Sequence, residues 1–150
     1  MYEYRCTIIK IVDGDTVDVD IDLGFDVILK NQRIRVHGID TPESRTSDKL
    51  EKVFGLAAKE KVKSLIPVGT QQVLRTIKDR DDGDARGKFG RILGDFLVNY
   101  EGEDQLLTDI MIDEHHAVSY HGQNKDDIEQ QHLNNRKVLI DAGTISIDNE

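Results

Sequence analysis

A chain of 150 residues is most simply one domain, large enough to bury its own core. No run approaches the ~18 apolar residues of a membrane span, and Met1–Arg5 lacks the apolar centre of a signal peptide. A membrane-spanning helix is thus excluded, and the chain as written reads as cytoplasmic, or as secreted if a leader has been removed. The net charge of −9 argues against nucleic acid only until its distribution is seen: residues 28–91 hold 15 Lys/Arg and 9 Asp/Glu, and the flanks hold 5 and 20. The middle is cationic and the ends are acidic.

Tyr4 to Val12 is rich in β-branched residues and predicts a strand, with Cys6 inside it as a buried free thiol. Asp13-Gly14-Asp15-Thr16 is a turn in which Gly14 is expected to supply backbone freedom. Val17, Val19, Ile21 and Leu23 then alternate with Asp18, Asp20 and Asp22, which predicts a second strand hairpinned to the first. Val27 to Ile39 reads as one bent strand or two short ones. Pro42 bars its continuation. A helix follows with Asp48 as N-cap and Glu51 as the capping-box partner, ended by Pro67. Its lysines at 49, 52, 59, 61 and 63 form the solvated face. Gln71–Ile77 is a fourth strand, Lys78–Arg86 a solvated hairpin loop, and Ile92–Val98 a fifth strand broken at Gly94-Asp95. Two further helices are expected, over Gln105–Glu114 and over Ile128–Ala142, the latter capped by Asp127 and stopped by Gly143. The tail beyond Gly143 is expected to fray. The order suggests α+β: a small, closed, twisted sheet with three packed helices.

The chemistry gathers at turns. Arg35 lies five residues before Asp40 on the face opposite Ile34 and Val36, so one strand end delivers Arg35, Asp40, Thr41 and Glu43 together. Asp15 comes from the earlier turn and Arg91 from Lys88-Phe89-Gly90-Arg91. Two carboxylates and the Thr41 carbonyl make a partial hard-cation site that water and a phosphate could complete. Glu43 is placed to take a proton from water, and two arginines can fork onto phosphate oxygens. From spacing alone, ordinary turn acids and surface arginines are the stronger description. His115, His116, His121 and His132 lack the further ligand a zinc site needs.

Taken in order, Tyr4–Val17 with its Asp-Gly-Asp-Thr turn, Arg33–Glu43 and Lys88-Phe89-Gly90-Arg91 closely resemble the staphylococcal nuclease-like family, from about Tyr4 to Ala142. The resemblance implies a five-stranded OB-fold barrel with three helices, a single nuclease domain over 1–150 with an ordered core of about 4–143. It implies a monomeric phosphodiesterase that uses one Ca2+ and cleaves single-stranded DNA and RNA with low sequence specificity. Attack by metal-bound water would leave 3′-phosphate and 5′-hydroxyl ends. By position, Asp15, Asp40 and the Thr41 carbonyl look like the calcium ligands, Glu43 like the general base, and Arg35 and Arg91 like the phosphate-binding arginines. Lys88, Phe89 and Tyr120 look like substrate contacts, with Tyr120 and His121 expected at the rim of the nucleotide pocket. Phe89 stands where the family often has tyrosine, and Val118 where a second pocket tyrosine is known. Two rivals stand beside this reading: a non-catalytic OB module binding single strands or a protein, and a phosphodiesterase for small nucleotides.

Overall fold

The computed structural model describes residues 2–77 and 91–147. Strands β1 (Tyr2–Asp13), β2 (Thr16–Asp22) and β3 (Ile28–Val36) form an antiparallel meander. The alternation in β2 has the expected outcome at Val17, Val19 and Ile21, which are buried, while Asp18 and Asp20 face out to Arg33 and Lys30 on β3; Leu23, expected on the same apolar face, lies past the end of the strand and is exposed. The chain continues through β4 (Ile39–Asp40), α1 (Lys49–Leu65) and β5 (Gln71–Thr76), which pairs with β1. Strand β6 (Ile92–Tyr100) pairs antiparallel with β5 and parallel with β3, through Ile34–Ile92, Arg35–Leu93 and Val36–Gly94. That parallel seam closes β1, β2, β3, β5 and β6 into a five-stranded barrel, an α+β OB fold. β7 (Glu103–Leu106) extends β6, and β4 pairs separately with β8 (Val118–Ser119).

The barrel is filled by Ile8, Val17, Val19, Ile34, Leu74 and Phe96, all fully buried. Ala58 and Val62 of α1 and Leu107, Ile110 and Met111 of α2 (Leu107–Asp113) join the same core. Cys6 is buried as expected, and burial pushes its thiol pKa up to about 12, which leaves it protonated and inert at neutral pH.

Several expected boundaries move, each for a local reason. β6 runs unbroken through Gly94 and Asp95. The buried Asp95 carboxylate accepts the Phe96 N–H at 2.8 Å and the Thr108 hydroxyl at 2.6 Å, tying the strand to the first turn of α2. Gln105 and Leu106 pair with Val98 and Leu97, so they belong to β7 and not to the second helix. The last helix, α3, is Lys125–Asp141, three residues longer at its start than expected, because the Asn124 side chain accepts the Asp127 N–H at 2.9 Å and takes the capping role given to Asp127. Lys61 is not on the solvated face of α1. It donates to Tyr100 Oη at 3.0 Å and pairs with Glu114 at 2.9 Å. Beyond Gly143 the chain does not fray at once: Thr144 and Ile145 donate back to Leu139 O, and Ile145 packs with Leu139 and Phe54. The predicted hairpin loop over Lys78–Arg86 lies outside the described residues.

Candidate active site

The β1–β2 turn, the end of β3 and β4 meet at one rim of the barrel. Val36 donates its N–H to the Asp15 carbonyl at 2.8 Å, which locks the first turn onto β3. Gly14 works there through closeness, not through an unusual backbone angle: a Cβ would lie 2.9 Å from both the Ala58 Cβ and the Thr41 Oγ1. With that gap closed, Asp15 Oδ2 accepts the Thr41 N–H at 3.3 Å and Oδ1 accepts the Thr16 hydroxyl at 3.0 Å.

Arg35 sits between the two acids. Its guanidinium donates to Val36 O at 2.6 Å and Ile39 O at 2.9 Å, so the bend from β3 to β4 holds it in place. Nη2 then lies 3.5 Å from Asp15 Oδ2 and 4.0 Å from Asp40 Oδ1. Only part of a guanidinium's five N–H groups is used by the main chain, leaving donors for an incoming oxyanion. Burial pushes the Asp15 pKa up; Arg35 opposes this and the neighbouring Asp13 adds to it.

These residues fit a hard cation. Two carboxylates face one guanidinium, so the cluster keeps excess negative charge, and the mostly buried Asp15 is poorly solvated. The buried Thr41 hydroxyl beside them has no hydrogen-bond partner. The donors are all oxygen, which suits calcium and excludes preference for a soft metal. Among the described residues no three His, Cys, Asp or Glu side chains gather in ligating geometry. An ion held here by Asp15, Asp40 and Thr41 would need water and phosphate to complete its shell.

Glu43 is exposed, but its backbone is fixed. Its N–H donates to Glu51 Oε2 at 3.2 Å, so Glu51 anchors the loop instead of completing a capping box. Asp48 caps α1 as expected, accepting from Leu50 and Glu51. The loop lies so close to α1 that a Cβ on Gly55 would overlap the Glu43 carbonyl. Arg91 immediately precedes β6, whose first residue pairs with Ile34 beside Arg35. Lys88 and Phe89 fall outside the described residues. Tyr120 follows β8, donates its N–H to Gly38 O at 2.8 Å, and lines a cleft of about 490 Å3 together with Asp40 and residues of α3. His121 is not part of that lining. Val118 is buried as the strand partner of Asp40, so its position serves packing.

One contact had no signal in the sequence. His132 Nε2, on α3, lies 2.7 Å from Asp40 Oδ2. Ninety-two positions separate the pair, and a single histidine in a polar helix predicts nothing by itself.

The fold and rim together define a class of protein: an OB barrel with acidic and arginine-bearing turns converging at one edge. The chain belongs to the family described as staphylococcal nuclease homologue, which matches residues 33–138 and so takes in Arg35, Asp40, Glu43 and Arg91. It is 33% identical over 99 residues to Protein ParB of Escherichia coli, covering 66% of this chain and 45% of that protein. It is 30% identical over 101 residues to the SPbeta prophage-derived endonuclease YokF of Bacillus subtilis (strain 168), covering 67% of this chain and 30% of that one. The chain thus spans less than half the length of either relative. No described helix is long and apolar enough to cross a membrane.

Proposed function

We propose that this chain is a calcium-dependent nuclease that hydrolyses phosphodiester bonds of single-stranded DNA and RNA with little sequence preference. The observation that carries the reading is the placement of the Asp15 and Asp40 carboxylates 3.5 and 4.0 Å from the single Arg35 guanidinium at the barrel rim. The family and the relative named as an endonuclease support the same reaction class.

In this reading Asp15, Asp40 and Thr41 hold one Ca2+. When bound there, the ion would supply charge neutralisation at the phosphate and make water more acidic. Glu43, its backbone anchored by Glu51 and α1, accepts a proton from the attacking water. Arg35 and Arg91 donate to the non-bridging oxygens as negative charge builds in the transition state. Arg35 needs little reorganisation because main-chain carbonyls already orient it. The bond from phosphorus to the 5′ oxygen breaks, leaving a 3′-phosphate and, after protonation, a 5′-hydroxyl. Tyr120, with Lys88 and Phe89, provides the nucleotide contacts. The chain acts as a monomeric single domain.

The test is hydrolysis of heat-denatured DNA and of RNA with calcium, with magnesium and with chelator. Cleavage should require calcium, and Glu43→Gln and Arg35→Ala should each lower kcat by ~10²-fold or more with the fold intact. Full turnover in either variant removes that residue from the mechanism. Absence of cleavage by the folded protein in every condition would favour a non-catalytic strand-binding module.

One observation favours a second substrate class. Asp48, Glu51 and Glu129 line the cleft next to Asp40, against Lys125 and Arg136. An acid wall there disfavours a long polyanion and suits short nucleotides. A substrate series from dinucleotide to polymer separates the two: kcat/KM should fall with length if the short class is preferred.

A further inference from the structure

The cleft beside Asp40 is walled by α3, and α3 reaches the rim through one side chain. Asp40 stands on a two-residue strand, 35% exposed in its side chain, with freedom to rotate that backbone pairing alone does not remove. Its two oxygens are nevertheless distinguished. Oδ1 lies towards Arg35, 4.0 Å from Nη2, while Oδ2 lies 2.7 Å from His132 Nε2. An ionised carboxylate only accepts, so the imidazole N–H donates. The histidine is itself well packed, 13% exposed in its side chain, and Asn135 Nδ2 donates to Ala117 O at 3.2 Å one turn further along. Leu139 and the Arg136–Phe54 contact fix the remainder of the helix to α1.

We propose that His132 is a positioning residue for the cation site: it commits Asp40 Oδ2 to α3 and thereby presents Oδ1 on the Asp15 side. The inference rests on the nuclease reading above, because it assigns the carboxylate so positioned to the metal. Hydrogen-bond partners of ligating groups fix their orientation, and losing one commonly weakens metal binding 10–100-fold. The coupling runs both ways, so a cation drawing on Asp40 also strengthens the docking of α3.

Calcium titration calorimetry on the full chain tests this with wild type, Asp40→Asn, His132→Ala and His132→Gln. The glutamine amide can replace the Nε2 donor, so His132→Gln should bind calcium within about threefold of wild type, whereas His132→Ala should bind ~10-fold more weakly. Hydrogen exchange supplies the second readout: calcium should slow exchange of α3 amides in wild type and in His132→Gln but not in His132→Ala. Wild type that binds calcium and loses affinity in Asp40→Asn, with His132→Ala unchanged in both readouts, overturns the positioning role and leaves the nuclease reading standing. Equal loss in the alanine and glutamine variants also overturns it, since the donor would then be irrelevant. Wild type that binds no calcium overturns both. Should His132→Ala fail to fold, the glutamine variant and the wild-type exchange pattern still decide the matter.

Discussion

On the proposed function, Asp15 carries a conflict between stability and metal binding. Burial disfavours its ionised form, and one arginine is shared between it and Asp40. Asp15→Asn removes the desolvated charge while keeping the shape. In chelator the variant should therefore be more stable by about 1 kcal/mol in urea unfolding, and on the proposed function it should lose the stabilisation that calcium would give wild type. A loss of similar size in chelator would mean that the Arg35 pair outweighs desolvation. His116 gives the opposite kind of signature. Burial, aided by Lys61 and His115 and opposed by Glu114, lowers its pKa below the usual 6.5. As pH falls, the unfolded imidazole takes up a proton before the folded one does. Its contribution is present above pH 6.5 and is lost below it, on the way down to the folded-state pKa. His116→Gln should flatten the drop in unfolding free energy between about pH 7.5 and about pH 5.5; an unchanged drop assigns the acid sensitivity to another group.

Between α1 and the Glu43 loop, one missing side chain sets the spacing. Alanine normally stabilises a helix interior over glycine by up to about 1 kcal/mol. At Gly55 the sign should reverse, because the new methyl meets the backbone of Glu43 and Ser44. Gly55→Ala is expected to lower stability by about 2 kcal/mol and to reduce kcat as the loop shifts, readable by unfolding and turnover on the same preparation. A stabilised, fully active variant would show that the loop is not held at this point. The sequence shows α1, its Asp48 cap and the alternating face of β2 because those depend on neighbours along the chain. It places Arg35 and Asp40 at one strand end for the same reason. It does not show Gly55 against Glu43, Glu51 anchoring that loop, or His132 on Asp40, since each depends on how helices dock. The boundaries of α2 and α3 shift because the β6–β7 pairing and the Asn124 cap outrank apolar spacing.

At the scale of the whole molecule, charge sets how the protein meets a polymer. The 28–91 segment is basic, but the flanks that supply α3 are strongly acidic. Few phosphates should be neutralised beyond those reaching Arg35, Lys88 and Arg91. The log–log salt dependence of binding to a single strand should then be shallow, with a slope of roughly −2 at about −0.7 per phosphate. Glu129→Lys, an exposed change on the cleft wall, should raise kcat/KM on long single strands several-fold at low salt and leave a dinucleotide unaffected. Equal effects on both substrates would place Glu129 in the chemistry and not in the field around it.

The parallel seam between β3 and β6 joins stretches far apart along the chain, and it alone sets the Arg35 strand against the strand that Arg91 precedes. Local hairpins form in microseconds, while such distant pairings must first overcome the entropy of closing the intervening loop. A refolding chain should accordingly recover amide protection in the β1–β2–β3 meander before it recovers any turnover. On the proposed function, a chain whose barrel is still open leaves nucleic acid uncut, and closure of the seam is the step that confers activity.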